Sequence, residues 1–349
     1  MSIHDWLIYQ LVDSRHQGGI ESHILNLTRW LNQNGYRSEV IFMRDFGAHP
    51  LKDKLTEEGL PYRCLSSYQE LYKLLTHSPS ILNTHGYKAG IIGRIFGKLT
   101  STPVISTFHS GDLGKGKLRF YSWLDYSTSI LADRVLSVSD EISSRLPITS
   151  QQIANFVAPA KLQTERGKAV AFVGRLSDEK GPEAFARITE KSPKELPCHV
   201  YGDGPLRADL EREYPHLNFF GQVEMDQHWD DVGLLCISSK SEGLPLVALE
   251  AMSRGIPVAS YRLGAIPDLI EDHKSGWLVK AGDENALGKV IANWWTQSGT
   301  EKAAMSIAAH HRICKYYSDS TVIPSILEIY AQAAHHKGFL NLKFDRRSL

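Results

Sequence analysis

The sequence predicts an α/β protein of two domains, each built on a parallel sheet, that face each other across a cleft. Short apolar runs alternate with helical patterns, and strand–helix–strand repetition of this kind implies parallel sheets covered on both faces. The alternation restarts after a polar stretch near residues 159–167. A length of 349 residues is long for one domain and comfortable for two.

The predicted strands are short apolar runs that end in polar or glycine-bearing loops. They are residues 6–12, 38–43, 80–85, 103–108 and 134–139 in the first half, and 169–174, 199–202, 217–220, 234–238, 257–261 and 276–279 in the second. A helix follows the first strand, with Ile20, Ile24, Leu27 and Leu31 on one face, and stops at Gly35. A last helix is predicted near residues 322–334. Ligands are expected at the carboxyl ends of the strands.

Bulk composition excludes several classes of protein. Apolar content is 42% and charged content 22%, and 39 basic residues balance 39 acidic ones, so no overall field attracts nucleic acid. The four cysteines form no C-x-x-C pair, which fits reduced thiols better than disulfides or a zinc site. No apolar run approaches the ~20 residues that span a bilayer, and the N-terminus lacks a signal-peptide pattern. We therefore expect a cytoplasmic protein.

Residues 241–258 place two glutamates eight positions apart around the start of a predicted helix. Pro245 suits the first helical position and Gly255 the position just past the end. The free N–H groups at a helix start favour a phosphate. Glu242 in the loop and Glu250 inside the helix would then hold hydroxyls or amines beside that phosphate. A hydrolase acid–base pair is disfavoured, because eight helical residues rise about 12 Å, beyond the usual glycosidase spacing. The alternative to a ligand site is that Glu250 caps or pairs locally and Glu242 is an ordinary loop charge.

Loops after other predicted strands carry further candidates. Arg175 and Lys180, in residues 174–181, can grip phosphate oxygens, although a solvated loop with ordinary charges explains them equally well. Gly18 and Gly19 do not form a dinucleotide fingerprint, so a simple turn is the better interpretation. The segment at Gly202 is interpreted mainly as a turn, and only secondarily as part of a binding site.

Two histidines end predicted strands at the expected ligand edge. They are His85 and His109, and a structural role is the commoner one for a lone histidine. No Asp-x-Asp motif occurs, so a divalent metal bound through that motif is not indicated. We expect no cofactor.

In order along the chain, these motifs resemble the retaining GT-B glycosyltransferases of glycosyltransferase family 4. The resemblance covers nearly the whole chain, and its most specific part is the E-x7-E block of Glu242 and Glu250. The other motifs are Gly18-Gly19-Ile20-Glu21, Asn34-Gly35-Tyr36, Asn83-Thr84-His85-Gly86, Thr107-Phe108-His109, Ser137-Val138-Ser139, Asn155-Phe156-Val157, Val173-Gly174-Arg175-Leu176, Glu179-Lys180-Gly181, Tyr201-Gly202-Asp203-Gly204-Pro205, Phe220-Gly221-Gln222-Val223 and Gly264-Ala265-Ile266-Pro267-Asp268-Leu269-Ile270. Pro245 stands where many members have glycine, and Asp268 where glutamate is commoner.

The resemblance implies two Rossmann-like domains, residues 1–160 and 161–319, with residues 320–349 packing back on the first. The second domain would hold a nucleotide-sugar donor. Arg175 and Lys180 would grip its diphosphate, Glu242 its sugar and Glu250 its ribose. The implied roles continue with Gly202, Gly243, Leu244, Pro245 and Leu246 around the diphosphate, Val223 at the base, Gly19 closing on the diphosphate, His109 at the transferring sugar, and His85, Gly86 and Lys117 towards the acceptor.

The implied reaction is the metal-independent, retaining transfer of a hexose or N-acetylhexosamine. UDP is the expected nucleotide, and the acceptor would be a hydroxyl of a glycan or lipid-linked molecule in bacterial surface polysaccharide or glycoconjugate synthesis. Developing charge on the diphosphate would be met by Arg175, Lys180 and amide dipoles, with front-side attack by the acceptor. The alternatives are a GT-B epimerase and a non-catalytic protein that binds nucleotide sugars. A phosphorylase would need a pyridoxal lysine and a far longer chain.

Residues 114–124 mix cations with aromatic residues beside His109. Such a segment could rest on an anionic membrane, which would place the protein peripherally on the inner face. An amphipathic helix packed on its own domain is the preferred interpretation.

Overall fold

The computed structural model describes residues 3–15, 18–109, 116–162 and 167–337. The chain forms two compact units. Unit 1 comprises Met1–Phe156 together with Asp319–Leu349, and unit 2 comprises Val157–Ser318. The division between Phe156 and Val157 lies four residues before the expected one at 160/161.

Unit 1 alternates strands and helices along the first half of the chain. Its elements are β1 (Leu7–Val12), α1 (Gly19–Gln33), β2 (Arg37–Phe42), α2 (Pro50–Glu57), β3 (Tyr62–Cys64), α3 (Tyr68–His77), β4 (Ser80–His85), α4 (Tyr87–Thr100), β5 (Val104–Phe108), α5 (Lys117–Thr128), β6 (Arg134–Ser137), α6 (Asp140–Arg145) and β7 (Gln151–Gln152). They build a seven-stranded parallel sheet in the order β3-β2-β1-β4-β5-β6-β7.

Unit 2 repeats the pattern with a six-stranded parallel sheet in the order β10-β9-β8-β11-β12-β13. Its elements are β8 (Ala169–Val173), α7 (Pro182–Glu190), β9 (Cys198–Tyr201), α8 (Arg207–Glu213), β10 (Leu217–Gly221), β11 (Val232–Ile237), α9 (Leu246–Ser253), β12 (Val258–Tyr261), α10 (Ile266–Leu269), β13 (Gly276–Val279), α11 (Glu284–Thr296) and α12 (Gly299–Tyr316). All six residues of β11 are buried, as expected for a central strand covered on both faces.

The last helix, α13 (Asp319–His336), belongs to unit 1. Ile323, Leu327 and Tyr330 are fully buried in one core cluster with Trp6 and Leu27. Their spacing places them on one face of the helix, and that face covers the sheet of unit 1. The end of the chain therefore completes the core of the unit in which the chain begins.

The predicted fold class is confirmed: both units are parallel α/β layers, and all eleven predicted strands are present within about two residues. Two strands were missed, β3 and β7, which contain three and two residues. Both lie at sheet edges and carry polar or half-exposed side chains, so they lack an apolar run. No helix in the described ranges has the length and apolar character needed to cross a membrane.

Candidate functional site

In unit 2 the structure joins two residues of the predicted site directly. Lys180 Nζ lies 2.8 Å from Glu242 Oε1, and the same carboxylate oxygen accepts a hydrogen bond from Ser239 Oγ at 2.6 Å. The Glu242 side chain is 8% exposed, whereas that of Lys180 is 36% exposed. The carboxylate is therefore held in place at a buried position, and the ammonium group reaches solvent.

Hydrogen bonds to backbone carbonyls join the two loops that carry this ion pair. Ser238 Oγ donates to the Gly181 carbonyl at 2.8 Å, and Lys240 N donates to the Glu179 carbonyl at 2.9 Å. Gly181 has φ +66°, and a Cβ there would collide with the Ser238 carbonyl oxygen. Only glycine combines this left-handed conformation with so close an approach.

A third loop, after β12, supports Glu242 from another side. Ala265 N donates to the Gly243 carbonyl at 2.9 Å. A Cβ at Gly264, where φ is +50°, would overlap the carbonyl oxygen of Glu242. Gly243 thus lies in a segment whose backbone is held by the loop after β12.

Arg175 follows β8 at the same carboxyl edge of the sheet. Gly174 N donates to the Tyr201 carbonyl at 2.9 Å, and Gly202 has φ +129° with its Cα packed against the Gly174 carbonyl. The Arg175 side chain is exposed and makes no ion pair with any residue in the described ranges. Its guanidinium is therefore available to a ligand.

Two acids, Asp178 and Glu179, lie between these cations in the chain. Ser177 Oγ donates to Glu179 Oε1 at 2.7 Å, and this hydrogen bond, with Arg175 and Lys180 nearby, lowers the pKa of Glu179. Glu179 is therefore ionised at neutral pH, and the loop carries two cations and two carboxylates, with Asp178 paired to Lys240.

Helix α9 begins one residue later than predicted. Pro245 is its N-cap, with extended ψ 124°, and Leu246 is the first helical residue. A proline N-cap has no side-chain acceptor, so the first amides of α9 lack a cap from that residue. Leu244 and Leu246 are buried and anchor this turn, and Gly255 takes the expected left-handed conformation at φ +80°.

Glu250 and Val223 lie on two other parts of unit 2. Glu250 is half-buried in the body of α9, where its carbonyl accepts from Arg254 Nη1 at 3.0 Å. Val223 is half-buried in the loop after β10. The carboxyl end of the sheet thus presents cations, a held carboxylate, helix amides and an apolar side chain.

In unit 1, His85 and His109 lie at the carboxyl ends of the adjacent strands β4 and β5. His85 Nδ1 is 2.9 Å from His109 Nε2. A third imidazole, His23 of α1, packs edge-on against His109 with ring centroids 4.7 Å apart. One nitrogen of each ring lies within 4.8 Å of the other two.

Sequence reasoning missed His23, although a signal existed. It lies four residues before Leu27, on the apolar face that the helical periodicity already predicted to be buried. Burial lowers the pKa of His23 to about 4 and holds the pKa values of His85 and His109 well below the usual range. All three imidazoles are therefore neutral at pH 7.

The remaining predicted positions are also in unit 1. Gly19 is the first residue of α1, and Gly86, at φ +81°, is the N-cap of α4. Lys117 is the first residue of α5, but its side chain lies outside the described part of the structure.

Two family models match the chain. Residues 17–147 match Glycosyltransferase Family 4, and residues 167–297 match Glycosyl transferases group 1. The two matches fall in units 1 and 2 respectively and together span most of the sequence.

Curated relatives match shorter stretches. The chain is 37% identical over 122 residues to the sulfoquinovosyl transferase SQD2 of Arabidopsis thaliana, which covers 33% of this chain and 24% of that protein. It is 29% identical over 178 residues to a Campylobacter jejuni α-1,4-N-acetyl-D-galactosaminyltransferase, whose name gives a diphospho-undecaprenol-linked glycan as its substrate. This match covers 48% of this chain and 49% of that protein. The matched stretches therefore span between a quarter and a half of these two relatives.

Among solved structures, the chain is similar to Anabaena Alr3699/HepE in complex with UDP and glucose. The TM-score is 0.80 at 17% identity, covering 93% of this chain and 99% of that one. At this identity the similarity establishes a common GT-B fold.

Proposed function

The chain belongs to glycosyltransferase family 4, and from that premise we propose that it transfers a hexose or N-acetylhexosamine from a nucleotide-diphosphate sugar. The observation that carries the proposal is the pair of Lys180 and Glu242, fixed at the strand ends of unit 2 with Arg175 exposed nearby. A cation beside a held carboxylate suits a ligand that is anionic at one end and rich in hydroxyls at the other.

The donor diphosphate binds Arg175, Lys180 and the first amides of α9. These groups also stabilise the charge that develops on the leaving diphosphate. Gly202, Gly243, Leu244, Pro245 and Leu246 shape the surrounding backbone. Two side-chain cations and a helix start supply the counter-charge, so the transfer needs no metal ion.

Glu242 orients the transferring sugar. Lys180 and Ser239 both contact Oε1 of Glu242, so Oε2 can accept a hydrogen bond from a sugar hydroxyl. Glu250 accepts from the ribose hydroxyls, and Val223 packs on the base.

The residues of unit 1 act on the sugar and the acceptor. His109 accepts from a hydroxyl of the transferring sugar, and the Gly19 backbone approaches the diphosphate. His85, Gly86 and Lys117 belong to the acceptor side. Transfer proceeds with retention, by front-side attack of an acceptor hydroxyl.

Two of the similar proteins support a particular nucleotide and a particular acceptor for this chain. HepE was crystallised with UDP and UDP-glucose, which supports UDP as the nucleotide here. The Campylobacter enzyme is named for a diphospho-undecaprenol-linked acceptor, which supports a lipid-linked glycan. We therefore place the reaction in the synthesis of a bacterial surface polysaccharide or glycoconjugate.

A donor screen tests the proposal. Purified protein is incubated with radiolabelled UDP-, GDP- and ADP-sugars, with and without glycan or polyprenyl-diphosphate acceptors. We expect acceptor-dependent release of UDP, abolished in Lys180→Ala and retained in Lys240→Ala, because Lys240 is an exposed cation paired with Asp178. UDP release without any acceptor would favour an epimerase, and binding without turnover a non-catalytic protein.

We also propose that one face of unit 1 rests on an anionic membrane. Eight of the twelve exposed large apolar residues in the described chain lie on α3, α4, α5 and the short 3₁₀ turn after α5. They are Tyr68, Tyr72, Ile95, Leu99, Phe120, Tyr121, Trp123 and Ile130. Single exposed apolar residues are ordinary, but a concentration on neighbouring elements indicates an interaction surface.

The packing of α4 and α5 explains this concentration. Their contact is polar: Arg94 pairs with Asp125 at a fully buried position and donates to Thr128 Oγ1 at 2.9 Å. Glycines on the inner face of α4 allow this approach, since a Cβ at Gly90 would collide with the Asp125 carboxylate. Phe120 and Trp123 are left outside, 59% and 60% exposed. The helix packs on its own domain, as expected, but through Asp125 and Thr128 rather than through its aromatic residues.

Charge favours an anionic bilayer over a neutral one. Apart from the buried Arg94, residues 87–124 hold five Lys or Arg and a single acid, and Lys98 and Arg119 are exposed beside the apolar residues. Aromatic residues with flanking cations suit the headgroup region.

Vesicle flotation tests this surface without any assay of catalysis. Vesicles of phosphatidylcholine with phosphatidylglycerol should float the wild type, and Phe120→Ser with Trp123→Ser should abolish flotation. Ile307→Ser is the control, because Ile307 is 57% exposed on α12 of unit 2. Equal flotation of both variants, or none of the wild type, would refute the surface.

A further inference from the structure

A buried chain of hydrogen bonds connects the last helix to His109. Asn83 Nδ2 donates to Tyr330 OH at 2.8 Å and to Gln10 Oε1 at 3.0 Å, and His85 Nε2 lies 2.9 Å from the same Gln10 oxygen. His85 Nδ1 then meets His109 Nε2 at 2.9 Å. Gln10, Asn83, His85 and Tyr330 are each at most 1% exposed.

These hydrogen bonds determine which nitrogen of each imidazole carries the proton. In the structure Thr107 Oγ1 donates to Asn83 Oδ1 at 2.9 Å, and the Asn83 amide nitrogen faces Gln10. The Gln10 oxygen can only accept, so His85 must donate through Nε2. A neutral His85 then has a lone pair on Nδ1, and the proton in the contact between the two histidines belongs to His109 Nε2.

We propose that His85 is a positioning residue that holds His109 in the Nε2–H tautomer, so that His109 Nδ1 presents a lone pair to a hydroxyl of the transferring sugar. The role of the hydroxyl rests on the proposed function, whereas the tautomer rests on the hydrogen bonds alone. Burial keeps both rings neutral, as their lowered pKa values indicate. A protonated His109 would have no lone pair on either nitrogen.

The same three histidines could in principle bind a metal ion, because neutral imidazoles are good ligands. The hydrogen bond argues against this. A metal between His85 Nδ1 and His109 Nε2 would replace the proton that joins them at 2.9 Å, and His109 would have to carry its proton on Nδ1. Metal binding and the proposed tautomer thus exclude each other, and one measurement separates them.

Nitrogen-15 NMR of the full-length protein, labelled at histidine, reads the protonated atom of each ring directly. We expect His85 and His109 to be neutral and protonated at Nε2, with no change when equimolar Zn²⁺ is added. Protonation of His109 at Nδ1 would overturn the proposal, because it requires both amides to be turned over. A joint shift of His23, His85 and His109 with Zn²⁺ would also overturn it.

Two substitutions of His85 distinguish positioning from simple packing. His85→Asn keeps an oxygen acceptor near the position of Nδ1, whereas His85→Leu fills the space without one. We expect His109 to keep its tautomer in His85→Asn and to become a mixture in His85→Leu, with kcat at least tenfold lower in His85→Leu than in His85→Asn. UDP affinity should stay unchanged in both. If the wild type has the expected tautomer but catalyses no transfer, the proposed function is wrong and the tautomer assignment is still correct. Equal kcat values in His85→Asn and His85→Leu would refute the positioning role of His85.

Discussion

Lys180 Nζ and Glu242 Oε1 lie 2.8 Å apart although 62 residues separate them in the chain. Their loops follow β8 and β11, adjacent strands of the unit 2 sheet, so the parallel topology brings them to one edge. Glu242 is buried and Lys180 is half-exposed, which means that the carboxylate depends on the ammonium more than the reverse. A diphosphate that binds Lys180 must share it with Glu242.

Substitution of Lys180 should have a larger effect on stability and on donor binding than substitution of Glu242 by glutamine. Lys180→Ala leaves a buried carboxylate with Ser239 as its remaining recorded partner, which we expect to cost about 1–3 kcal/mol of unfolding free energy. Glu242→Gln keeps an acceptor for both neighbours and should cost less. Differential scanning calorimetry measures this, and UDP should raise the melting temperature of Glu242→Gln but not that of Lys180→Ala. Identical melting and UDP response in the two variants would contradict this account of the pair.

The close approach at Gly181 gives a second prediction. Gly181→Ala adds a Cβ against the Ser238 carbonyl at a positive φ, so it should separate the two loops that carry Lys180 and Glu242. We expect weaker UDP binding by calorimetric titration, together with reduced stability. Gly288→Ala is the control, because its Cβ would lie 3.7 Å from Ile188 Cγ2, inside α11, and should stabilise by about 0.5–1 kcal/mol. Unaltered UDP affinity in Gly181→Ala would show that the contact does not shape the site.

The sequence correctly predicted that Arg175, Lys180 and Glu242 lie in loops that follow strands, because the signals for such positions are local. Glycines, a helix start and charged residues directly after strands mark the ligand edge of a parallel sheet without reference to tertiary contacts. The pairing of Lys180 with Glu242 could not be predicted, because it depends on strand order and on the exact course of two loops. His23 was missed for a related reason: a histidine on an apolar helical face acquires meaning only when β4 and β5 bring two more histidines beside it.

Helix α5 shows where pattern alone misleads. An amphipathic helix packed on its own domain usually points its apolar side chains to the core, yet Phe120 and Trp123 are exposed. The buried ion pair of Arg94 and Asp125 reverses that orientation, and such a pair between two helices leaves no signal in a single sequence.

That ion pair gives a third prediction. Asp125→Ala leaves the Arg94 guanidinium, which is fully buried, without its counter-charge and should cost about 3–5 kcal/mol in urea unfolding. The double variant Arg94→Met, Asp125→Leu removes both charges and should recover much of that loss. A double variant no more stable than Asp125→Ala would contradict the assignment of the loss to an unpaired charge.

Acid should destabilise unit 1 through His23. Its pKa is lowered by burial from about 6.5 in the unfolded chain to about 4, so the unfolded state binds the proton first as pH falls. The contribution of His23 is fully present above pH 6.5 and is lost towards pH 4. Between pH 7 and pH 5 the wild type should lose about 2 kcal/mol more than His23→Leu, measured by urea unfolding. If the unfolding free energies of the two proteins changed equally with pH, His23 would be protonated as readily in the folded state as in the unfolded state.

We propose that unit 2 binds a nucleotide-sugar donor through Lys180 and Glu242 for transfer to an acceptor. The most direct test is acceptor-dependent UDP release from UDP-sugars by the wild type, Lys180→Ala and Lys240→Ala. We predict transfer by the wild type and Lys240→Ala, and a loss of at least a hundredfold in Lys180→Ala, of the size expected when one group that stabilises developing charge is removed. Equal rates in all three proteins, or no acceptor-dependent release by the wild type with any UDP-, GDP- or ADP-sugar, would contradict the claim.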